Sequence, residues 1–183
     1  MARQVFLFDP PDRFVAGTVG QPGDRTFYLQ ATGNGRSIAV ALEKAQVAVL
    51  AERLEQLLEE VRRRGAADQV LQRGFDDTAP LDAPVDEEFR VGAMGLAWDA
   101  EDDRIVIEAL AQVESEDAPE VEPLSDSDEG PDALRVRLTT ATAQAFVKRA
   151  QRVVAAGRPP CPLCGLPLDP EGHICPRQNG HRR

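Results

Sequence analysis

An α+β fold, antiparallel sheet with two packed helices plus a small carboxy-terminal metal-binding module, is what this sequence predicts. Three observations carry the prediction. Short apolar runs bounded by turn residues fill residues 5–42 and 88–138, the pattern of strands joined by hairpins. After each group, apolar residues switch to three- and four-residue spacing, the period of a helix packed on one face. Every cysteine and histidine of the 183-residue chain falls between positions 161 and 181, which sets that stretch apart chemically from the rest.

In chain order, "QVFLF" and "RFVAGTV" flank Asp9-Pro10-Pro11-Asp12 and read as a strand pair. "RTFYLQA" and "RSIAVALE" flank Thr32-Gly33-Asn34-Gly35, where Asn-Gly supplies the positive φ values of a tight hairpin. A four-stranded antiparallel start follows from these two turns. From Lys44 to Arg64, Val47, Leu50, Leu54, Leu57, Leu58 and Val61 make one apolar helical stripe, and Glu52, Arg53, Glu55, Glu59 and Arg62 a solvated face. Residues 65–87 read as a loop. "FRVGAMGLAWD" and "RIVIEALAQV" form the next hairpin, around Asp99 to Asp103. Residues 114–130 hold eight acids and no basic residue, the composition of a disordered insertion. "ALRVRLT" is a seventh strand. Thr139 to Ala156 is the second helix, capped by Thr139 or Thr140 and ended by Gly157 and two prolines. The two helices align without gaps, Leu42 with Leu138, Leu50 with Phe146 and Arg53 with Arg149. The body, residues 1–157, therefore divides into two candidate strand–helix halves, 1–64 and 88–157, with helices on one face of the sheet.

The tail, residues 158–183, is a zinc-binding module by its chemistry. Cys161-Pro162-Leu163-Cys164-Gly165 has knuckle form: the two-residue spacer turns both thiolates toward one ion, and backbone N–H groups can donate to the sulfurs. His173 and Cys175, two apart on an extended arm, face the same way. Cys161, Cys164, His173 and Cys175 make a closed Cys3His set typical of structural zinc, with His181 as the alternative fourth ligand. The Pro-Glu-Gly turn ending just before His173 favours His173. A thioredoxin-type redox motif is disfavoured, because the CxxC follows two prolines and does not open a helix. Catalytic zinc would need an open position that four protein ligands do not leave.

The stretches "GQPGDRTFYLQA", "LEKAQVAVLAERL", "FRVGAMGLAWD" and "AGRPPCPLCGLPLDPEGHICPRQNG" resemble an actinobacterial family of uncharacterised proteins, domain of unknown function 3090, over nearly the whole chain apart from the acidic insertion. The resemblance implies a cytoplasmic protein with a zinc-ribbon-like end and no assigned catalytic residues. The resemblance also implies a phosphate-handling setting, since members of the family often lie near genes for a phosphoinositide-kinase-like protein and a histidine-phosphatase-like protein.

Composition narrows the function. A net charge of −10 argues against a general binder of nucleic-acid backbones, which needs a basic footprint. The tail differs: Arg158, Arg177, Arg182 and Arg183 outweigh Asp169 and Glu171, so a protein partner, or an RNA segment, could meet it there. The amino-terminal residues offer neither signal peptide nor membrane span, and a cytoplasmic location is expected. No phosphate loop, nucleophile elbow or HExxH motif is present in the sequence. The expected function is thus non-enzymatic binding or adaptor work with structural Zn2+ as cofactor. The alternative is an enzyme or small anionic-ligand protein using an open sheet face through Arg25 and Arg36, with Glu43 and Lys44 beside them.

Overall fold

The computed structural model describes residues 2–65, 76–116, 120–157, 160–166, 168 and 172–177. Its elements are β1 (Val5–Phe8), β2 (Arg13–Gln21), β3 (Asp24–Gly33), β4 (Arg36–Leu42), α1 (Lys44–Arg63), β5 (Glu87–Asp99), β6 (Arg104–Ala111), β7 (Ala133–Leu138) and α2 (Thr140–Ala155). The seven strands form one sheet in the order β1-β7-β6-β5-β4-β3-β2. This is α+β as expected, but the sheet is mixed: β1 runs parallel to β7, and β4 parallel to β5.

The parallel pairs correct the expected β1–β2 hairpin. Asp9-Pro10-Pro11-Asp12 lacks the positive-φ residues of a tight turn, and its two prolines have no N–H to give to a ladder. It carries the chain from one edge strand to the other. In a flat sheet those edges would stand about 29 Å apart, six spacings of roughly 4.8 Å, whereas the five Cα steps from Phe8 to Arg13 reach at most about 19 Å. The sheet must therefore curl. Arg36 Nη2 of β4 donates to Leu7 O of β1 at 2.7 Å across the approach, and Asp12 N–H donates to Thr32 O at 2.7 Å, starting the β2–β3 ladder. The other turns are as the sequence implied, with Asn34 and Gly35 at positive φ between β3 and β4.

One hydrophobic cluster fills the inside of the curl and draws on both halves, including Phe27, Leu29 and Ala31 of β3, Ile105, Ile107 and Ala109 of β6, Leu54 of α1 and Phe146 of α2. The helices lie antiparallel over it, Gln151 of α2 reaching Glu55 of α1. α1 packs on β5, and α2 on β2, where Phe146 stacks on Phe14 with ring centroids 4.7 Å apart.

Strand alternation sends Gln30 and Glu108 to the opposite, outer face. Both are nonetheless buried, because two irregular straps cross that face. In one strap Asp82 exchanges two hydrogen bonds with the Gln30 amide, at 2.8 and 2.9 Å, and Leu81 lies where a Cβ on Gly17 would be. In the other, Leu124 N–H donates to Glu108 Oε1 at 2.9 Å, and Pro123 lies where a Cβ on Gly95 would be. Arg3 Nη2 at 2.6 Å and Arg135 Nε at 2.5 Å complete the Glu108 carboxylate, and both guanidiniums also bond Ser125 O. The expectation of disorder over 114–130 thus fails for residues 120–130. Apolar Val121, Pro123 and Leu124, with an arginine on each side, hold a stretch that composition alone marked as loose.

The registers of the two halves run in step. Gln30 pairs with Ala39 and Glu108 with Arg135; Leu29 pairs with Val40 and Ile107 with Val136; Ala16 pairs with Leu29 and Leu96 with Ile107. The long β5 pairs first with β4 and then, from Val91, with β6. β1 and β2 play those two roles in the other half, with Asp9–Asp12 as the break between them.

Candidate metal centre

The tail's local geometry follows from two glycines. Gly165, at φ +75°, turns the chain so that its N–H donates to Cys161 O at 2.8 Å, while Cys161 N–H donates to Leu166 O at 2.7 Å. That closed turn brings Cys164 beside Cys161 and aims Leu163 N–H at the Cys161 sulfur, 3.5 Å away. Gly172, at φ +92°, precedes the arm carrying His173 and Cys175. The result places one ligand atom each from Cys161, Cys164, His173 and Cys175 within 4.8 Å of one another. Cys161 Sγ and Cys175 Sγ are 3.9 Å apart, and Cys164 Sγ and His173 Nε2 3.3 Å.

These separations decide between two chemistries. A disulfide needs sulfurs about 2.05 Å apart, and all three cysteines are free. A tetrahedral ion with metal–sulfur bonds of about 2.3 Å needs ligand–ligand edges of about 3.8 Å. The donor set fits the ion. Backbone N–H groups of Cys164 and Leu163 hold the Cys161 thiol below its ordinary pKa, favouring the thiolate that a metal binds. Cys161 and Cys175 are buried, yet neither belongs to the main hydrophobic cluster, so the centre organises its own segment. His181, Arg158, Arg182 and Arg183 lie outside the described residues; Arg177 is described and exposed.

The anion patch of the alternative reading, on Arg25 and Arg36, does not come together. Arg36 pairs with Gly33, and Arg25 lies eight residues back along the same strand, about 27 Å away at the other end. Arg25 instead donates to Ala156 O at the end of α2 and covers the Phe27 ring; Arg36 covers the Phe8 ring. Glu43 pairs with Arg90. The outer face is not open over its centre, because the straps at Gln30 and Glu108 occupy it.

Sequence reasoning also missed several polar anchors. Arg149, 5 % exposed, donates to Ala16 O, Asp77 O and Ala79 O at 2.6 to 2.9 Å and to the Asp77 carboxylate at 3.0 Å. Burial pulls its pKa below the ordinary arginine value. The Arg13 guanidinium, bonded twice to Asp77, holds that carboxyl below the usual range. An arginine in an otherwise apolar helical pattern was the available signal, and its loop partner left none.

Fold and centre together define an α+β protein with a carboxy-terminal Cys3His cluster able to hold a metal ion. The chain belongs to the family described as Protein of unknown function (DUF3090), whose model matches residues 6–175, from β1 to the last cysteine. No curated protein and no solved structure matches it. Among the described residues, no helix is long and apolar enough to cross a membrane.

Proposed function

We propose that the chain is a non-enzymatic binding or adaptor protein of the cytoplasm whose tail is ordered by structural zinc and meets a protein partner. The observation carrying this reading is the pairing of a closed four-donor set with apolar side chains turned to solvent around it. Ile174, between two of the donors, is 82 % exposed, and Leu163 and Leu166 flank the knuckle at 46 % and 49 %. A four-ligand ion has no position for substrate, so its contribution is rigidity. A module this small cannot order such side chains by core burial alone. Arg177 beside Cys175 adds a positive charge that suits an acidic rim on the partner.

The test is a comparison in the native cell between the tagged full chain and its Cys161→Ser, Cys164→Ser variant. Elemental analysis of the wild type should give about one zinc per chain, and a defined partner should be enriched by the wild type and lost with the variant. A chain that purifies folded without metal, or a partner retained undiminished by the variant, overturns the reading. So does a partner that disappears after nuclease treatment, which would make RNA the ligand.

A further inference from the structure

β5 outruns its neighbour. It pairs with β4 only through Glu87, Phe89 and Arg90, because β4 ends at Leu42 and the chain turns into α1. Beyond Arg90 the α1 side of β5 has no strand beside it among the described residues. There a groove of about 800 Å3 opens between α1 and β5, lined by Arg53, Gln56, Leu57, Glu60, Met94 and Leu96 among others, the Glu60 carboxylate being already paired with Arg64 at 2.8 Å. Val49 at its lip is 49 % exposed. Gln46 seals one end: its amide donates to Val91 O and Gly92 O and accepts from Glu43 N–H.

The other half of the molecule shows what such a groove holds. By the shared registers, Leu96 of β5 corresponds to Ala16 of β2, and Met94 to Phe14. By the gapless helix alignment, Leu50, Arg53 and Gln56 of α1 correspond to Phe146, Arg149 and Arg152 of α2. In the α2–β2 half these positions are occupied. Phe146 stacks on Phe14, and Arg13 of β2 holds the strap beginning Asp76-Asp77-Thr78-Ala79-Pro80 beside that strand through the Asp77 carboxylate and the carbonyls of Ala79 and Pro80. Arg149 takes the carbonyls of Asp77 and Ala79 and the Asp77 carboxylate, while Arg152 takes the Asp76 carboxylate at 2.8 Å and Asp77 O at 2.8 Å. The strap is an acidic segment gripped by helix arginines beside β2, where Arg149 Nε also donates to Ala16 O.

In the α1–β5 half the same constellation has no strap among the described residues. Arg53 forms no ion pair with any described residue, in contrast to Arg149. The smaller Leu50 and Met94 replace two stacked phenylalanines and leave apolar room. We infer that the α1–β5 groove binds an extended acidic peptide segment of a partner protein, with a carboxylate and backbone carbonyls on Arg53, polar backbone groups on Gln56, and apolar side chains over Met94, Leu96 and Leu57. Gln56 standing where Arg152 stands in the other half means that one acid is required here, not two. Strand edges beside apolar pockets take peptides in this way generally, main-chain bonds giving affinity and pockets specificity. The site is distinct from the tail and stands whether or not the tail holds zinc.

The test uses the 15N-labelled full chain and a synthetic heptapeptide, Asp-Asp-Thr-Ala-Pro-Leu-Asp, the sequence of the strap at 76–82. Saturable chemical-shift changes are expected at the amides of Gly92, Met94 and Leu96. Binding should weaken about tenfold or more with Arg53→Glu, or with a peptide whose three acids are replaced by Asn. Arg53 is exposed, so the variant should keep the wild-type melting temperature; Val49→Asp, at the lip, gives a second variant expected to weaken binding. No shift at millimolar peptide, or shifts that Arg53→Glu leaves unchanged, overturns the proposal. Shifts confined to Ala16 and Asp77 would mean that the peptide only displaces the strap, and would also overturn it. A dimer that Arg53→Glu dissociates makes a second copy the occupant, and decanoate bound at Gly92, Met94 and Leu96 without peptide binding makes the groove a small-acid site; either result overturns it.

Discussion

Replacing Glu108 by alanine should be among the most destabilising single changes in the body. The carboxylate is fully buried, and its neutralising partner Arg3 has a side chain 1 % exposed. Truncation would leave the Arg3 guanidinium without its counter-charge, Arg135 without one of two acidic partners, and Leu124 N–H without its acceptor. Breaking a buried pair by removing one partner costs about 3–5 kcal/mol. For a chain of this size each kcal/mol moves the midpoint by about 2–4 °C, so Glu108→Ala should melt about 6–20 °C lower. Urea unfolding followed by circular dichroism gives the free energy directly. The Arg3→Met, Glu108→Ala double variant then separates mechanism from mere damage. Because it removes the stranded charge as well, its cost should fall below the sum of the single costs by about 0.5–3 kcal/mol. A Glu108→Ala loss under about 1 kcal/mol, or strict additivity in the double variant, would refute the clamp.

Three further outcomes are expected. Asp77 has its pKa lowered mainly by its hydrogen bonds with Arg13, so its stabilisation is present above the unfolded carboxylate pKa of about 3.9 and disappears as pH falls through the lower folded value. The stability gap between wild type and Asp77→Asn should therefore be widest near neutrality and narrow below about pH 4; a gap constant down to pH 3 would contradict this. A Cβ at Gly95 would meet Pro123 Cβ at 2.5 Å, so Gly95→Ala should push the acidic strap outward and cost about 1–3 kcal/mol, whereas a disordered strap would leave stability unchanged. Chelation should collapse the amide signals of residues 160–177 and leave the main unfolding transition in place, because the four donors lie outside the central cluster; loss of the β-sheet spectrum on chelation would show that the tail supports the body.

Local signals were legible in the sequence, and distant ones were not. The two helices follow from apolar spacing that only a helical face satisfies, and Thr139 caps α2 by accepting from Thr142 N–H at 3.2 Å. The Asn34-Gly35 hairpin and the Cys161–Gly165 knuckle were readable because a few adjacent residues fix each of them. β1 was misjudged because its partner is the stretch from Ala133 to Val136, and nothing in "VFLF" names a strand so far away. The 120–130 strap was misjudged because acidic composition speaks for the unfolded chain, while Arg3 and Arg135 act only after folding brings them in. The α1–β5 groove was invisible for a related reason: it exists because β5 is longer than the strand beside it, and lengths become a mismatch only when the strands are paired.

The parallel pairing of β1 with β7 also bears on how the protein emerges from the ribosome. Phe6 and Phe8 are made long before the strand that shelters them, which begins with Ala133. At elongation rates of roughly 5–20 residues per second, that partner follows some 6 to 26 s later. For this interval the nascent β1 presents two aromatic side chains and backbone groups whose partner strand does not yet exist. A contact that completes the sheet is thus made by a strand synthesised well before its partner, and a holding chaperone acting on the nascent chain would meet "VFLF" before β7 exists to cover it.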